Sequence, residues 1–146
     1  MKKQSAASSS SEPPELPPLF LDASLGKRIV SDALRRAGAT VHVHDEVFGP
    51  GTPDETWLQR AGDEGWMVIT KDRKIRYRRN ELQAARRRKV GIFVLLAKNL
   101  TGEGMAELLV SAMPAMTRFA FLNAVPFIAA ITRDGKITRL DRKAGA

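Results

Sequence analysis

Val68-Ile69-Thr70-Lys71-Asp72 is an apolar run that stops on a carboxylate and passes at once into a dense series of arginines and lysines. A buried strand that ends on an acid beside concentrated positive charge points to a metal site next to a polyanion. Trp66 to Ile69 is almost wholly apolar, as expected of a parallel strand covered on both faces. Immediately upstream, Thr52-Pro53-Asp54-Glu55 reads as a capping box with proline just inside a helix. That helix carries Trp57, Leu58 and Ala61 on its apolar face and closes at Gly65.

Further toward the N-terminus, Leu19-Phe20-Leu21 is a short apolar strand ending on Asp22. Leu25, Ile29, Val30, Ala33, Leu34 and Ala37 then recur at helical spacing, and Gly38 is placed to terminate that helix. Val41-His42-Val43-His44 reads as a second strand, and Phe48-Gly49-Pro50-Gly51 as a turn. Downstream of Asp72, Glu81 to Lys89 reads as a helix and Val90 to Leu96 as a fourth strand. Met105, Leu108, Leu109, Ala112, Met113 and Met116 mark an amphipathic helix after Thr101. Phe127 to Ile131 and Lys136 to Leu140 flank Arg133-Asp134-Gly135, where the Asp-Gly pair signals a hairpin.

Strands and helices therefore alternate, which predicts an α/β fold: a three-layer α/β/α sandwich with a mainly parallel sheet and a C-terminal β-hairpin. At 146 residues the chain fits one domain. Residues 1–18, rich in Ser and Pro, are expected to be a disordered tail, 19–141 the domain, and 142–146 a disordered C-terminus. In such sheets ligands bind beyond the carboxyl ends of the strands, where strand order reverses. Asp22 and Asp72 each end a strand there.

The chain has no cysteine, which removes disulfides, thiolate metal sites and cysteine nucleophiles, so any metal must be held by oxygen or histidine. No apolar stretch approaches the roughly 20 residues of a membrane helix, and the polar start lacks the apolar core of a secretion signal, so the expectation is a cytoplasmic protein and no membrane partner. The net charge is +8. Between Lys71 and Lys89 ten basic residues face only Asp72 and Glu81, so this window carries the whole excess and the rest of the chain is balanced. Such a stretch serves either as a phosphate-binding surface, giving sequence-independent affinity for nucleic acid, or as a solvated helix face.

Hydrolysis of a phosphodiester needs an activated water and stabilisation of charge on the phosphate, and divalent cations supply both. Mg²⁺ and Mn²⁺ take oxygen ligands, so a cluster of acids is the expected protein contribution. Each acid also has a purely structural reading. Asp22 can cap the helix that follows it, Asp54 and Glu55 can complement a helix dipole, and Asp72 can be a turn residue pairing with Arg73 or Lys74. His42 and His44, two apart on a strand, would point the same way. Two histidines without a third ligand are more often strand surface than a metal site. Tyr77 within Arg76-Tyr77-Arg78-Arg79 either stacks on a base between phosphate-binding arginines or anchors its loop. Trp57 and Trp66 are assigned to the core.

Asp54-Glu55-Thr56-Trp57-Leu58-Gln59-Arg60-Ala61 followed by Gly65-Trp66-Met67-Val68-Ile69-Thr70-Lys71-Asp72 resembles the helix-strand segment of PIN-domain ribonucleases, with an acid opening the helix and Thr-x-Asp closing the strand. Phe20-Leu21-Asp22-Ala23-Ser24 is similar to that family's opening strand with its first acid, and the compact layout most resembles the small PIN-like proteins grouped with VapC-type toxins. The resemblance covers roughly Leu19 to Leu140. It implies Asp22, Asp54 and Asp72 as catalytic, metal-binding acids for Mg²⁺ or Mn²⁺. Larger PIN domains add a glutamate on an extra helix. Here only one helix and one strand are expected between Asp22 and Asp54, so Asp45 or Glu46 is the candidate fourth acid, with Glu55 and Asn99 possible assistants, although Asn99 equally starts a turn.

The expected function is a metal-dependent endoribonuclease, with Lys71, Arg73, Lys74, Arg76, Tyr77, Arg78, Arg79, Arg86 and Arg87 holding the RNA. The resemblance further implies the toxin half of a toxin-antitoxin pair, with an antitoxin protein as partner and a possible homodimer. The alternative is a non-catalytic PIN-like nucleic-acid-binding module. A phosphoacceptor domain using Asp22 is a third reading, for which the chain lacks the required later-strand aspartate and separate lysine.

Overall fold

The computed structural model describes residues 15–25, 28–49, 51–74 and 79–141. Most of the expected tail, the expected C-terminal segment, and Arg76, Tyr77 and Arg78 lie outside the described residues. Six strands, β1 (Leu19–Leu21), β2 (Val41–Val43), β3 (Met67–Thr70), β4 (Gly91–Leu95), β5 (Phe127–Ile131) and β6 (Ile137–Arg139), form one sheet in the order β2-β1-β3-β4-β5-β6. The first five pair in parallel and β6 adds antiparallel to β5, as the sequence predicted. Among the described residues five α-helices accompany them, α1 (Arg28–Arg36), α2 (His44–Val47), α3 (Asp54–Glu64), α4 (Arg79–Arg88) and α5 (Gly102–Leu122), with a short 3-10 helix at Ala23–Leu25.

Alternation along each strand divides the apolar residues into two layers. Leu19, Leu21, Met67, Ile69, Phe93 and Leu95 join Val30 and Leu34 of α1 and Met105, Leu109 and Met116 of α5 on one face. Phe20, Val68, Ile92 and Val94 join Trp57, Leu58 and Ala61 of α3 and Ala84 and Ala85 of α4 on the other. Both tryptophans are buried, as assigned. Residues ahead of β1 also pack on the domain: Leu16 lies against the first layer and the Pro18 carbonyl accepts from Met67 N at 2.8 Å.

Three local expectations need correction. Thr52 does not build a capping box: Pro53 is the N-cap of α3, and the Thr52 hydroxyl instead donates to the Gly49 carbonyl at 2.6 Å. The alternation Val41-His42-Val43-His44 does not stay extended, because His44 opens α2, a short helix with Asp45 and Glu46 in its first turn. A second helix therefore separates Asp22 from Asp54, where one had been expected. Finally, α5 is longer than its methionine pattern indicated. Among the described residues it is the one helix long and apolar enough, by length and composition, to cross a membrane. Glu107 and Arg118 interrupt any unbroken apolar run and hid this, while Met105, Ala106, Leu109, Ala112 and Met116 bury one side of it in the domain core.

Candidate active site

Strand order reverses between β1 and β3, because the chain leaves β1 for β2 on one side and returns through α3 to β3 on the other. That switch point is where a crevice opens beyond the carboxyl ends of a parallel sheet. Leu21 pairs with Ile69 across it, so the next residues, Asp22 and Thr70, emerge side by side. Asp22 is 9% exposed and Thr70 is fully buried.

The Asp22 carboxylate is bracketed by two hydroxyls. Thr70 Oγ1 donates to Oδ2, while Ser24 Oγ and Ser24 N, the latter at 2.9 Å, donate to Oδ1. Each hydroxyl in turn accepts from the backbone leaving β3: Asp72 N donates to Thr70 Oγ1 at 2.9 Å and Lys71 N to Ser24 Oγ at 3.1 Å. One carboxylate therefore organises the turn that carries the second acid. Burial pushes the Asp22 carboxyl above the usual aspartate range, its hydrogen bonds from Ser24 and Thr70 oppose this, and the negative charge of Asp72 pushes it up further. Asp72 Oδ1 accepts from Lys74 N at 3.1 Å, so Asp72 also shapes the turn, as its structural reading held.

Asp54 stands at the start of α3, and α3 runs back to the amino end of β3, so its first turn lies at the sheet edge bearing Asp22 and Asp72. Its Oδ1 accepts from Trp57 Nε1 at 2.9 Å, and the Trp57 ring stacks on Phe20 at 5.5 Å, on the same face of β1 as Asp22. Among the described residues no three acidic or histidine side chains gather closely enough to cage an ion. The site is thus an Asp22–Asp72 pair with Asp54 on its flank. Asp45 is exposed and lies against His44 Nδ1 at 3.2 Å. Glu46 pairs with Arg35 and Glu55 with Arg87, each at 3.1 Å. Asn99 takes a left-handed backbone, φ 61°, in the loop after β4, the turn role foreseen for it.

The histidines have aromatic rather than ligand surroundings. His42 stacks on Trp66 with centroids 4.1 Å apart, and His44 is buried against Phe20 and Phe48. Burial first, then Arg60 and Arg35, pushes the His42 imidazole below its usual pKa. Lys71, Arg73 and Lys74 are exposed in the loop directly after β3, while Arg86, Arg87 and Arg88 are exposed on α4 close to the start of β4. The described cations of the basic stretch therefore occupy two places. Sequence reasoning passed over Ser24 and Thr70 as site residues, although the spacings Asp22-Ala23-Ser24 and Thr70-Lys71-Asp72, once paired by strand register, place both hydroxyls on one carboxylate.

The donor set of the pair is entirely oxygen. Mg²⁺ commonly takes only one or two protein carboxylates and keeps its waters, and a cation between two neighbouring negative charges relieves their repulsion. The residues fit a hard divalent ion.

The family profile described as PIN like domain matches residues 17–97, more than half of the chain and the whole span from β1 to β4. This chain belongs to the PIN like domain family. The PIN like match contains Asp22, Ser24, Asp54, Thr70 and Asp72, and ends ahead of α5, β5 and β6. It assigns a nuclease-type fold. No curated protein and no solved structure matches the chain.

Proposed function

We propose that this PIN-like domain is a metal-dependent endoribonuclease whose centre is the Asp22–Asp72 pair. The observation that carries the proposal is a buried carboxylate, clamped on both oxygens, facing a second acid at the switch point of a parallel sheet. A bound Mg²⁺ or Mn²⁺ would supply an activated water and neutralise charge on the phosphate. Asp22 and Asp72 would hold the ion, with Asp54 available on the flank. Ser24 and Thr70 fix the Asp22 carboxylate so that it need not reorganise on loading, and Lys71, Arg73 and Lys74 present positive charge to the RNA backbone.

The test is cleavage of RNA with Mn²⁺ or Mg²⁺ present and with chelator. Asp22→Asn and Asp72→Asn are expected to abolish cleavage, and undiminished metal-dependent cleavage in both would overturn the site. The non-catalytic binding module is favoured by one feature, the absence among the described residues of a three-acid group. RNA binding that persists in every variant, with no cleavage by the parent protein, would establish that reading instead. The toxin role, with an antitoxin covering the acidic pocket, rests on the resemblance of the Thr70-Lys71-Asp72 turn and the compact layout. It is tested by growth arrest on expression that Asp72→Asn relieves and that a small co-transcribed neighbour suppresses.

A further inference from the structure

Strand register lines up the exits of β3, β4 and β5. Thr70 pairs with Val94, and Val94 with Ala130, so the loops that follow, residues 71–74, 96–101 and 132–136, lie in a row along one sheet edge. Arg133 Nη2 donates to the Lys98 carbonyl at 2.6 Å and ties the second and third loops together. Lys98, Arg133 and Lys136 are all exposed, the Lys136 side chain at 81%. Lys98 is 35 residues from Arg133 and stands in a different loop, so this is not the solvated face of one helix; the fold has gathered cations from two loops. Asp134 is the one acid in these two loops. It accepts from the Thr132 hydroxyl and from Lys136 N at 3.3 Å, and its carboxylate is 3.9 Å from the Lys136 ammonium.

The opposite flank carries the other sign. Beyond β1, toward β2, the same edge bears Asp45 on α2 and Asp54 on α3, while Glu46 and Glu55 beside them are paired with Arg35 and Arg87. Charge along the edge is thus graded from acidic at β2, through the Asp22–Asp72 pair, to basic at β5. With strands about 4.8 Å apart, the exits of β3 and β5 are separated by about 10 Å, which is close to one screening length at physiological salt.

We propose that Lys98, Arg133 and Lys136 form a phosphate track that carries single-stranded RNA away from the Asp22–Asp72 pair over the ends of β4 and β5. This rests on the nuclease reading and gives the substrate its direction: the strand leaves toward the hairpin, not toward α2. A single file of cations matches one phosphodiester backbone. The two loops that carry the track, residues 96–101 and 132–136, contain no aromatic side chain to stack a base, so the track contributes affinity without sequence preference.

The test compares the parent protein, the Lys98→Ala/Lys136→Ala double variant and, as a control cation on α5, Arg118→Ala. Binding of a short fluorescent single-stranded RNA in chelator is measured across a salt series, and cleavage is measured with Mn²⁺. Loss of two phosphate contacts lowers the slope of log affinity against log salt by about 1.4. The same double variant should raise KM with kcat unchanged, while Arg118→Ala changes neither. Unchanged slope and KM in the double variant of a protein that binds and cleaves RNA would overturn the track and leave the nuclease reading intact. A parent protein that neither binds nor cleaves RNA would overturn both, and tighter binding of duplex than of single-stranded RNA would overturn the substrate class.

Discussion

Replacing Thr70 by valine removes one hydroxyl and keeps the shape of the side chain. In the native protein that hydroxyl donates to the buried Asp22 carboxylate and accepts from Asp72 N, and Thr70 is fully buried, so water cannot stand in for it. A hydrogen bond to a charged partner contributes about 1.5–3 kcal/mol and the neutral one about 1 kcal/mol. The added methyl group returns about 0.8 kcal/mol through burial. The net expectation is a loss of about 2–3 kcal/mol. Ser24→Ala deletes the partner hydroxyl, but Ser24 is exposed and water replaces it, so its cost stays below about 1 kcal/mol. Urea unfolding in chelator measures both, with a shift in midpoint at constant slope marking a true change in stability. In an Asp22→Asn background the charge is gone, so Thr70→Val should cost about 1 kcal/mol less than in the parent. Equal costs for Thr70→Val and Ser24→Ala, or no coupling to Asp22, would refute the idea that the buried hydroxyl sustains the charged carboxylate.

The raised pKa of Asp22 makes its protonated form the one that folding favours, so its contribution is fully present below the unfolded pKa and is lost as pH rises through the folded pKa. Asp22→Asn should therefore gain stability relative to the parent as pH is raised from about 4 toward neutrality in chelator; a constant difference across unfolding curves would contradict this. Gly62→Ala would drive a methyl group into the carbonyl oxygen and Cβ of Arg88 on the neighbouring helix. Overpacking of about 1–3 kcal/mol should outweigh the helix propensity gain of up to about 1 kcal/mol, giving a lower urea midpoint. Thr101 accepts from Gly104 N at 3.0 Å as the N-cap of α5, so Thr101→Ala should cost about 1 kcal/mol and lower the thermal midpoint by about 3–4 °C.

The fold was legible because its strands are continuous apolar runs and its helices carry clear three- and four-residue spacing. Asp22 and Asp72 were legible for the same reason: an acid at the end of a buried strand is visible without coordinates. What failed were choices between nearby hydrogen-bond partners. Thr52 had a carbonyl, Gly49, within reach and took it in preference to the helix end. His44 continued a strand pattern, yet the chain turned there and buried it against Phe20 and Phe48. Ser24 and Thr70 needed the β1–β3 register before their meeting on one carboxylate could be seen. Arg133 and Lys98 are 35 residues apart, and only the adjacency of β4 and β5 brings their loops together.

The two apolar layers differ in their chromophores. Both tryptophans sit on the α3–α4 side, Trp66 between His42 and Phe20 with the Arg60 guanidinium 5.2 Å from its ring, and Trp57 on Phe20 with its indole N–H on Asp54. The α1–α5 layer is built with Phe93, Phe119 and Phe127 and has none. Tryptophan emission therefore reports on the α3–α4 half of the molecule, the half that holds Asp54. The protein carries its own optical probe of the site: an ion or RNA strand that draws Asp54 away from Trp57 changes the colour of that light, while loosening of α5 on the far face leaves it unchanged.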